Sequence, residues 1–190
     1  MNPFQIFSDW YEEEIKNSPA NISACCLSTI GLDGYPNSRF VSLKEIKNES
    51  FVVTGPLNSR KGLEIQNSNK VALSFWFTAT ERQVRVQGDA AQIAAAEADK
   101  YFSERNREAQ IVSYVSEQGK RLEDAEILNK KYEAAERLFK NQEILRPANW
   151  GGYLIAPVRI EFMEFKKSRF HHRTLFYKNE NLWEKELLQP

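Results

Sequence analysis

Residues 71–77 read VALSFWF, and residues 83–88 read QVRVQG. The first segment is strongly apolar, as expected of a buried strand. The second alternates polar and apolar residues, so Val84 and Val86 share one face and Gln83, Arg85 and Gln87 share the other. An ordinary half-exposed antiparallel strand shows the same alternation, and so does a strand whose polar face meets a ligand. Both segments predict a β-sheet framework.

Towards the N-terminus, the sequence predicts a helix, three strands and a second helix. Pro3 opens the first helix, and Asn17-Ser18-Pro19 ends it. The strands are predicted at residues 22–30, 37–45 and 51–54. Ser59 is placed to cap a short helix that extends to Gln66, with Glu64 on its surface.

Towards the C-terminus, residues 94–140 are rich in alanine and glutamate and suit three helices, the last at 122–138. Strand character returns at 150–155 and continues to the C-terminus, with a hairpin turn at 179–181. Many antiparallel strands with a few helices in 190 residues predict a mainly β, α+β fold. We expect one domain spanning 1–190, built as a small antiparallel β-barrel with flanking helices.

The charge balance and the cysteines narrow the function classes. Lys+Arg and Asp+Glu both number 26, so the basic excess of a nucleic-acid-binding domain is absent. The N-terminal residues show no signal peptide, and no apolar stretch is long enough to cross a membrane. Cys25 and Cys26 are adjacent and have no third cysteine as partner, which predicts reduced core residues in a cytoplasmic protein. The sequence contains no zinc-type set of Cys and His residues, so we expect no structural metal site.

Both histidines lie in the basic run Arg169-Phe170-His171-His172-Arg173. Hydrophobic residues flank this run, which predicts a strand with Arg169, His171 and Arg173 on one face. Such a face favours a small anionic ligand, because arginine binds phosphate or carboxylate and histidine exchanges protons near neutral pH. The alternative is a solvated edge strand.

Two further basic clusters point to an anion. Arg39 and Lys44 lie on one predicted strand, on opposite faces unless a bulge intervenes, although such residues are usually only solvated. Arg60 and Lys61 lie where a helix begins, and cations there oppose the helix dipole unless a phosphate neutralises them. An exposed basic loop explains the second cluster equally well.

Together these clusters resemble the pyridoxamine 5′-phosphate oxidase family over nearly the whole chain. The markers are Arg39…Lys44, Ser59-Arg60-Lys61, Arg82-Gln83-Val84, Tyr101-Phe102-x-x-Arg105, Gln110-Ile111, Val115-Ser116-x-Gln118, Trp150-Gly151-Gly152 and Arg169-x-His171-x-Arg173. The resemblance implies a split β-barrel that binds FMN at the interface of a homodimer, with residues from both chains in each site.

The resemblance also implies roles for particular residues. Around the FMN phosphate it implies Arg39, Arg60, Lys61 and Thr54, with Lys44 also near the cofactor. For the polar parts of the flavin it implies Gln83, Gln118 and Arg173. For the substrate phosphate it implies a clamp of Lys44, Tyr101 and Arg105. Arg169 and His171 are the implied catalytic residues, which hold the substrate ring over the flavin.

The implied reaction oxidises pyridoxine 5′-phosphate or pyridoxamine 5′-phosphate to pyridoxal 5′-phosphate, with O2 as acceptor and H2O2 as by-product. Two alternatives remain: an FMN oxidase of another small substrate, as in phenazine pathways, and a non-enzymatic module that stores flavin or pyridoxal 5′-phosphate. Lys44, Tyr101 and Arg105 argue against the phenazine alternative, because the related oxidases lack the complete clamp.

The chain departs from the family pattern at five side chains and in the length of the strand end at 54–56. At the five positions, this chain has Ala109 in place of a serine on the substrate phosphate, Gly119 in place of a serine beside FMN, Met163 in place of a tryptophan near the flavin, Phe170 in place of a leucine and His172 in place of an aspartate. A hydrogen bond lost to a charged group costs roughly 1.5–3 kcal/mol, so Ala109 predicts weaker substrate binding unless water replaces the hydroxyl.

Overall fold

The computed structural model describes residues 2–17, 23–180 and 182–190. These residues form five helices and eight strands. In order, they are α1 (Pro3–Asn17), β1 (Ala24–Ile30), β2 (Pro36–Lys47), β3 (Ser50–Pro56), α2 (Arg60–Asn67), β4 (Lys70–Phe77), β5 (Arg82–Gln92), α3 (Ala95–Ser103), α4 (Arg107–Val115), α5 (Ala125–Leu138), β6 (Trp150–Glu164), β7 (His172–Asn179) and β8 (Leu182–Leu188). None of the described helices is long and apolar enough to span a membrane.

All eight strands form one antiparallel sheet in the order β3-β2-β1-β4-β5-β6-β7-β8. An additional antiparallel pairing joins β3 to β6 and closes the first six strands into a barrel. Strands β7 and β8 extend the sheet beyond β6, outside the closed barrel. The predicted antiparallel barrel with flanking helices is therefore confirmed.

The barrel interior is filled by the apolar residues that alternate along its strands. Val84 and Val86 are fully buried on β5, as the alternation of this strand predicts. Helix α1 adds Phe7, whose ring packs edge-on against Phe51 and Phe75 at centroid distances of 5.1 and 4.9 Å. The apolar stripe of α1 thus packs into the barrel core.

A second apolar cluster holds the helices against the outside of the barrel. Strand β3 is buried on both faces: Phe51 belongs to the barrel core, and Val52 belongs to the outer cluster with residues of α3, α4 and α5. Phe102 of α3 packs edge-on against Trp150 at the start of β6, with ring centroids 5.1 Å apart. This contact fixes the end of α3, and therefore Arg105, beside the barrel wall.

The structure changes several expected boundaries. Strand β2 is longer than predicted, and α5 begins at Ala125 rather than at 122. The predicted helix end at residues 17–19, the strand start at 22 and the hairpin turn at 179–181 fall partly on residues outside those described. Within the described part, α1 ends at Asn17 and β1 begins at Ala24. In the β7–β8 hairpin, the pair next to the turn joins Asn179 to Leu182.

Helix α2 corrects two predictions. Glu64, expected on the surface, is 0% exposed, because four polar side chains from strands and helix surround its carboxylate. Ser59 occupies the N-cap position, but its side chain makes no cap hydrogen bond and donates instead to the Pro56 carbonyl. The serine therefore organises the loop before α2 rather than the helix itself.

Candidate functional site: a cationic groove and a polar outer face

Five of the predicted site residues meet in one groove with a volume of about 330 Å³, called here the cationic groove. They are Arg39, Thr54, Lys61, Arg105 and Gln118. The groove lies between β2, the end of β3, the first turn of α2 and the α4 region, with Trp150 also lining it. Gly62 lets α2 approach the loop before it, because a Cβ at this position would lie 1.9 Å from the Leu57 carbonyl oxygen.

Lys61 is the buried cation of the groove. Its Nζ donates to Ser59 Oγ at 2.9 Å and to Gln118 Oε1 at 2.5 Å, and no carboxylate among the described residues lies within ion-pair distance. Burial and the nearby Arg39 charge lower the pKa of Lys61 to about 8. A buried ammonium without a counter-ion is costly, so the groove favours an anion at this point.

Arg105 supplies a second cation. It follows α3 and directly precedes Asn106, whose side chain caps α4 by accepting from Ala109 N at 2.9 Å. The guanidinium lies 5.2 Å from the centre of the Trp150 ring and donates to the Ala109 carbonyl at 3.4 Å. Its buried Nε has no hydrogen-bond partner among the described residues, and burial lowers the pKa of Arg105. An anionic ligand would satisfy this donor.

Arg39 and Arg60 are already paired. Arg39 Nη2 lies 2.8 Å from Glu64 Oε2, and Arg60 Nε lies 2.7 Å from Glu64 Oε1. Thr29 and Asn37 also donate to this carboxylate, at 2.6 and 3.0 Å. Glu64 therefore fixes both arginines at the start of α2 and neutralises part of their charge.

The predicted substrate-phosphate clamp is divided. Lys44 Nζ lies 5.6 Å from the centre of the Tyr101 ring, so these two residues are brought together. However, Lys44 forms an ion pair of 2.9 Å with Glu104, and the Tyr101 hydroxyl donates to Glu45. Arg105, by contrast, lines the cationic groove. Lys44 is thus paired with a carboxylate, whereas Arg105 is not.

Gln83 and Arg173 lie apart from this groove, on the outer face of the sheet. Met163 of β6 is the register partner of Gln83 on β5 and of Arg173 on β7, which places the three residues in one row. Gln83 Nε2 contacts Met163 Sδ at 4.0 Å, and Arg173 pairs with Glu161 at 2.8 Å. The predicted polar face of β5 is thereby confirmed as the side away from the barrel core.

The predicted strand through Arg169, His171 and Arg173 is wrong for its first half. Strand β6 ends at Glu164 and β7 begins at His172, so Arg169 and His171 lie in the connecting loop and only Arg173 is in a strand. Arg169 adopts a positive φ of 65°, and its amide donates to the Lys166 carbonyl at 3.0 Å. This turn connects β6 to β7, so the two-residue alternation of a strand does not apply to residues 165–171.

A hydrogen bond within the loop selects one tautomer of the neutral His171 ring. Its Nδ1 accepts from the Lys166 amide at 3.1 Å, and its ring packs 4.9 Å from Phe165. Because Nδ1 is an acceptor, the neutral ring carries its proton on Nε2. His171 therefore presents an Nε2–H donor. Arg169 is exposed beside it.

Comparison with known proteins decides the family. Residues 11–139 match the family model described as pyridoxamine 5′-phosphate oxidase. Residues 150–190 match the C-terminal dimerisation region of pyridoxine 5′-phosphate oxidase. The chain belongs to the pyridoxamine 5′-phosphate oxidase family. The second match implies a homodimer.

Relatives in this family match the chain along its whole length. A pyridoxine/pyridoxamine 5′-phosphate oxidase of Cyanothece sp. is 35% identical over 189 residues, which cover 100% of this chain and 89% of the relative. One of the same description from Caulobacter vibrioides is 36% identical over 189 residues, covering 100% and 85%.

Two solved structures share the fold. PhzG from Burkholderia lata, in complex with tetrahydrophenazine-1-carboxylic acid, has a TM-score of 0.94 and 24% identity, covering 100% of this chain and 93% of that one. A pyridoxamine 5′-phosphate oxidase-related, FMN-binding protein from Nostoc punctiforme has a TM-score of 0.82 and 17% identity, with coverage of 100% and 98%. At these identities, the likeness supports the fold.

The cationic groove fits an anionic group such as a phosphate. Lys61 has no carboxylate partner in the described chain, and Arg105 Nε has no acceptor there. Sequence reasoning missed Glu64, although its position four residues after Arg60 on a helix is a signal for an ion pair. It also missed Trp150 as the ring beneath Arg105.

Proposed function

We propose that the protein is an FMN-dependent oxidase that converts pyridoxine 5′-phosphate and pyridoxamine 5′-phosphate to pyridoxal 5′-phosphate, with O2 as acceptor and H2O2 released. Oxidation of the amine also consumes water and releases ammonia. The observation that carries this proposal is the cationic groove, where Lys61 and Arg105 lack carboxylate partners among the described residues. When bound, FMN would supply the redox chemistry, as hydride acceptor for the substrate's 4′ carbon and electron donor to oxygen.

The residues at the start of α2 would hold the FMN phosphate. Lys61 supplies the uncompensated charge, and Thr54 and Gln118 line the same groove. Arg39 and Arg60 keep the surroundings positive, but Glu64 holds their guanidinium groups in place. Charge fixed in advance by buried partners lowers the cost of ordering these side chains when the cofactor binds.

The substrate would be bound by two groups of residues. Arg105, with Lys44 and Tyr101, would bind its phosphate, and Arg169 and His171 would hold the pyridine ring. The Nε2–H of His171 can donate to a ring substituent, while the exposed Arg169 can bind an anionic substituent of the ring. Gln83 and Arg173 lie on the outer face of the sheet, so we propose that the homodimer brings them to a flavin shared by both chains.

The decisive experiment is an anaerobic titration. The pure protein is reconstituted with FMN, pyridoxine 5′-phosphate is added without oxygen, and the flavin absorbance is followed. We expect bleaching, then recovery with formation of pyridoxal 5′-phosphate when air enters. Lys61→Met should weaken FMN binding about tenfold or more, because a charge-assisted contact is lost. Lys131→Met, at an exposed lysine on α5, is the matched control and should bind FMN like the parent.

A second candidate, an FMN oxidase of an unphosphorylated substrate, is favoured by one observation. Lys44 and Tyr101 are engaged by Glu104 and Glu45 rather than left open for a phosphate. Bound flavin that stays oxidised with both phosphorylated vitamers would support this candidate and refute the first.

A further inference from the structure

Three carboxylates surround the two clamp residues Lys44 and Tyr101. The Tyr101 hydroxyl donates to Glu45 and, at 3.3 Å, to Glu97 Oε1. Lys44 Nζ lies 2.9 Å from Glu104 Oε2. Lys47 Nζ lies 2.5 Å from Glu97 Oε1, and the charge of Lys100 acts on both Glu97 and Glu104. Lys44 and Tyr101 therefore each contact a carboxylate before any phosphate binds.

A β-bulge produces this arrangement. The pairing of β2 with β3 shifts between Leu43 and Glu45, which leaves Lys44 unpaired in the register. Strand alternation would send Lys44 and Glu45 to opposite faces. At the bulge, both side chains instead reach Tyr101: Lys44 lies over its ring, and Glu45 accepts from its hydroxyl. The sequence places a carboxylate directly beside the clamp cation.

Two carboxylates of the network are held in the ionised form by lysines. A hydrogen bond from Lys44 lowers the pKa of Glu104, and one from Lys47 lowers the pKa of Glu97. Burial, followed by the hydrogen bond to Glu45, raises the pKa of Tyr101, so its hydroxyl stays protonated and donates. Lys44 and Tyr101 are thus already paired with carboxylates.

We propose that Glu45 and Glu104 are specificity-determining residues that compete with the substrate phosphate for Tyr101 and Lys44. The inference rests on the proposed function and concerns the same substrate site. A phosphate that binds the clamp must displace Glu104 from Lys44 and Glu45 from Tyr101, and it then remains close to both negative charges. An unphosphorylated vitamer does not compete with these carboxylates. Glu45 and Glu104 therefore reduce the difference in affinity between the phosphorylated and unphosphorylated vitamers.

The geometry also makes the competition reversible. The side chains of Lys44 and Glu104 are 31% and 42% exposed, and an ion pair so open to water contributes little stability. Removing the carboxylate should therefore release Lys44 without unfolding the barrel. Glu45 and Glu104 act through other side chains, so they are positioning residues, and their effect should appear in KM more than in kcat.

The test uses the FMN-loaded protein and the variants Glu104→Gln and Glu45→Gln/Glu104→Gln. We expect the double variant to lower KM for pyridoxine 5′-phosphate about fivefold, from two weak competing contacts, with a smaller decrease for the single variant. Glu104→Asp should restore most of the parent KM. Glu133→Gln is the matched control, because it removes a carboxylate paired with Arg137 on α5. It should leave KM unchanged.

Equilibrium titration with pyridoxal 5′-phosphate and with pyridoxal separates this inference from the proposed function. Tighter binding of the phosphorylated compound alone in the double variant would support the competition. An unchanged or weaker affinity, or an equal gain for pyridoxal, would overturn it. If neither phosphorylated vitamer is oxidised by the parent, the proposed function fails, and this titration still decides the competition by the same two outcomes.

Discussion

Replacing Glu64 by glutamine should cost the fold about 3 kcal/mol at neutral pH. The carboxylate is fully buried and accepts from Thr29, Asn37, Arg39 and Arg60 at 2.6, 3.0, 2.8 and 2.7 Å. Desolvation raises its pKa, but these hydrogen bonds outweigh that effect and hold the pKa at about 2, against an ordinary 4.5. One pKa unit corresponds to about 1.4 kcal/mol, and breaking one side of a buried ion pair costs about 3–5 kcal/mol.

The sign of the pH dependence follows from the direction of this shift. A lowered carboxyl pKa contributes stability that is present above pH 4.5 and lost as the pH falls towards 2. The free energy of unfolding of the parent should therefore decrease over this window more steeply than that of Glu64→Gln. The two proteins should converge at low pH.

Urea titration of the apoprotein at pH 7 and at acidic pH, at fixed protein concentration, measures both effects. The control is Glu133→Gln, which removes an exposed carboxylate from an ion pair on α5 and should change stability by less than about 1 kcal/mol. A loss below about 1 kcal/mol for Glu64→Gln at pH 7 would refute the reasoning, since it would mean that the two arginines do not depend on this carboxylate.

Two further predictions concern the cationic groove. Because the pKa of Lys61 is about 8, its ammonium form is lost above that pH. FMN affinity, measured by flavin fluorescence quenching, should therefore fall between pH 7 and 9 in the parent but not in Lys61→Met. Arg105→Met should raise KM for pyridoxine 5′-phosphate about tenfold, because a donor to the phosphate is lost, while FMN affinity stays within threefold; an unchanged KM would remove Arg105 from the clamp.

Much of the barrel could be predicted because its strands carry a clear period of two. Residues 83–87 alternate, and the structure buries Val84 and Val86 as expected. The pairing of β3 with β6, which closes the barrel, joins segments far apart in the sequence and has no local signal. The loop before β7 was missed for a related reason: Arg169 adopts a positive φ although no glycine or proline marks a turn.

The basic residues of the site could be found in the sequence, but of their carboxylate partners only the Glu64 of Arg60 carries a local signal. Arg60 and Lys61 are neighbours, yet Arg60 pairs with Glu64 while Lys61 has no carboxylate within ion-pair distance in the described chain. Glu64 lies within helical reach of both residues, at i+4 from Arg60 and i+3 from Lys61, but Lys61 Nζ donates to Ser59 and Gln118 instead. For Arg39, the same carboxylate comes from a distant part of the chain, so the sequence held no signal for that pair.

The pairing of charges separates two roles that the sequence had merged. A cation already matched by a buried carboxylate contributes a fixed geometry, since its charge is balanced before any ligand arrives; Arg39 is such a residue. A cation without a carboxylate, such as Lys61, contributes net attraction and becomes more stable when an anion binds. Lys44 lies between these cases, because its partner Glu104 is exposed and can be displaced. The cofactor phosphate should therefore be held more firmly than the substrate phosphate, as a resident cofactor and an exchanging substrate require.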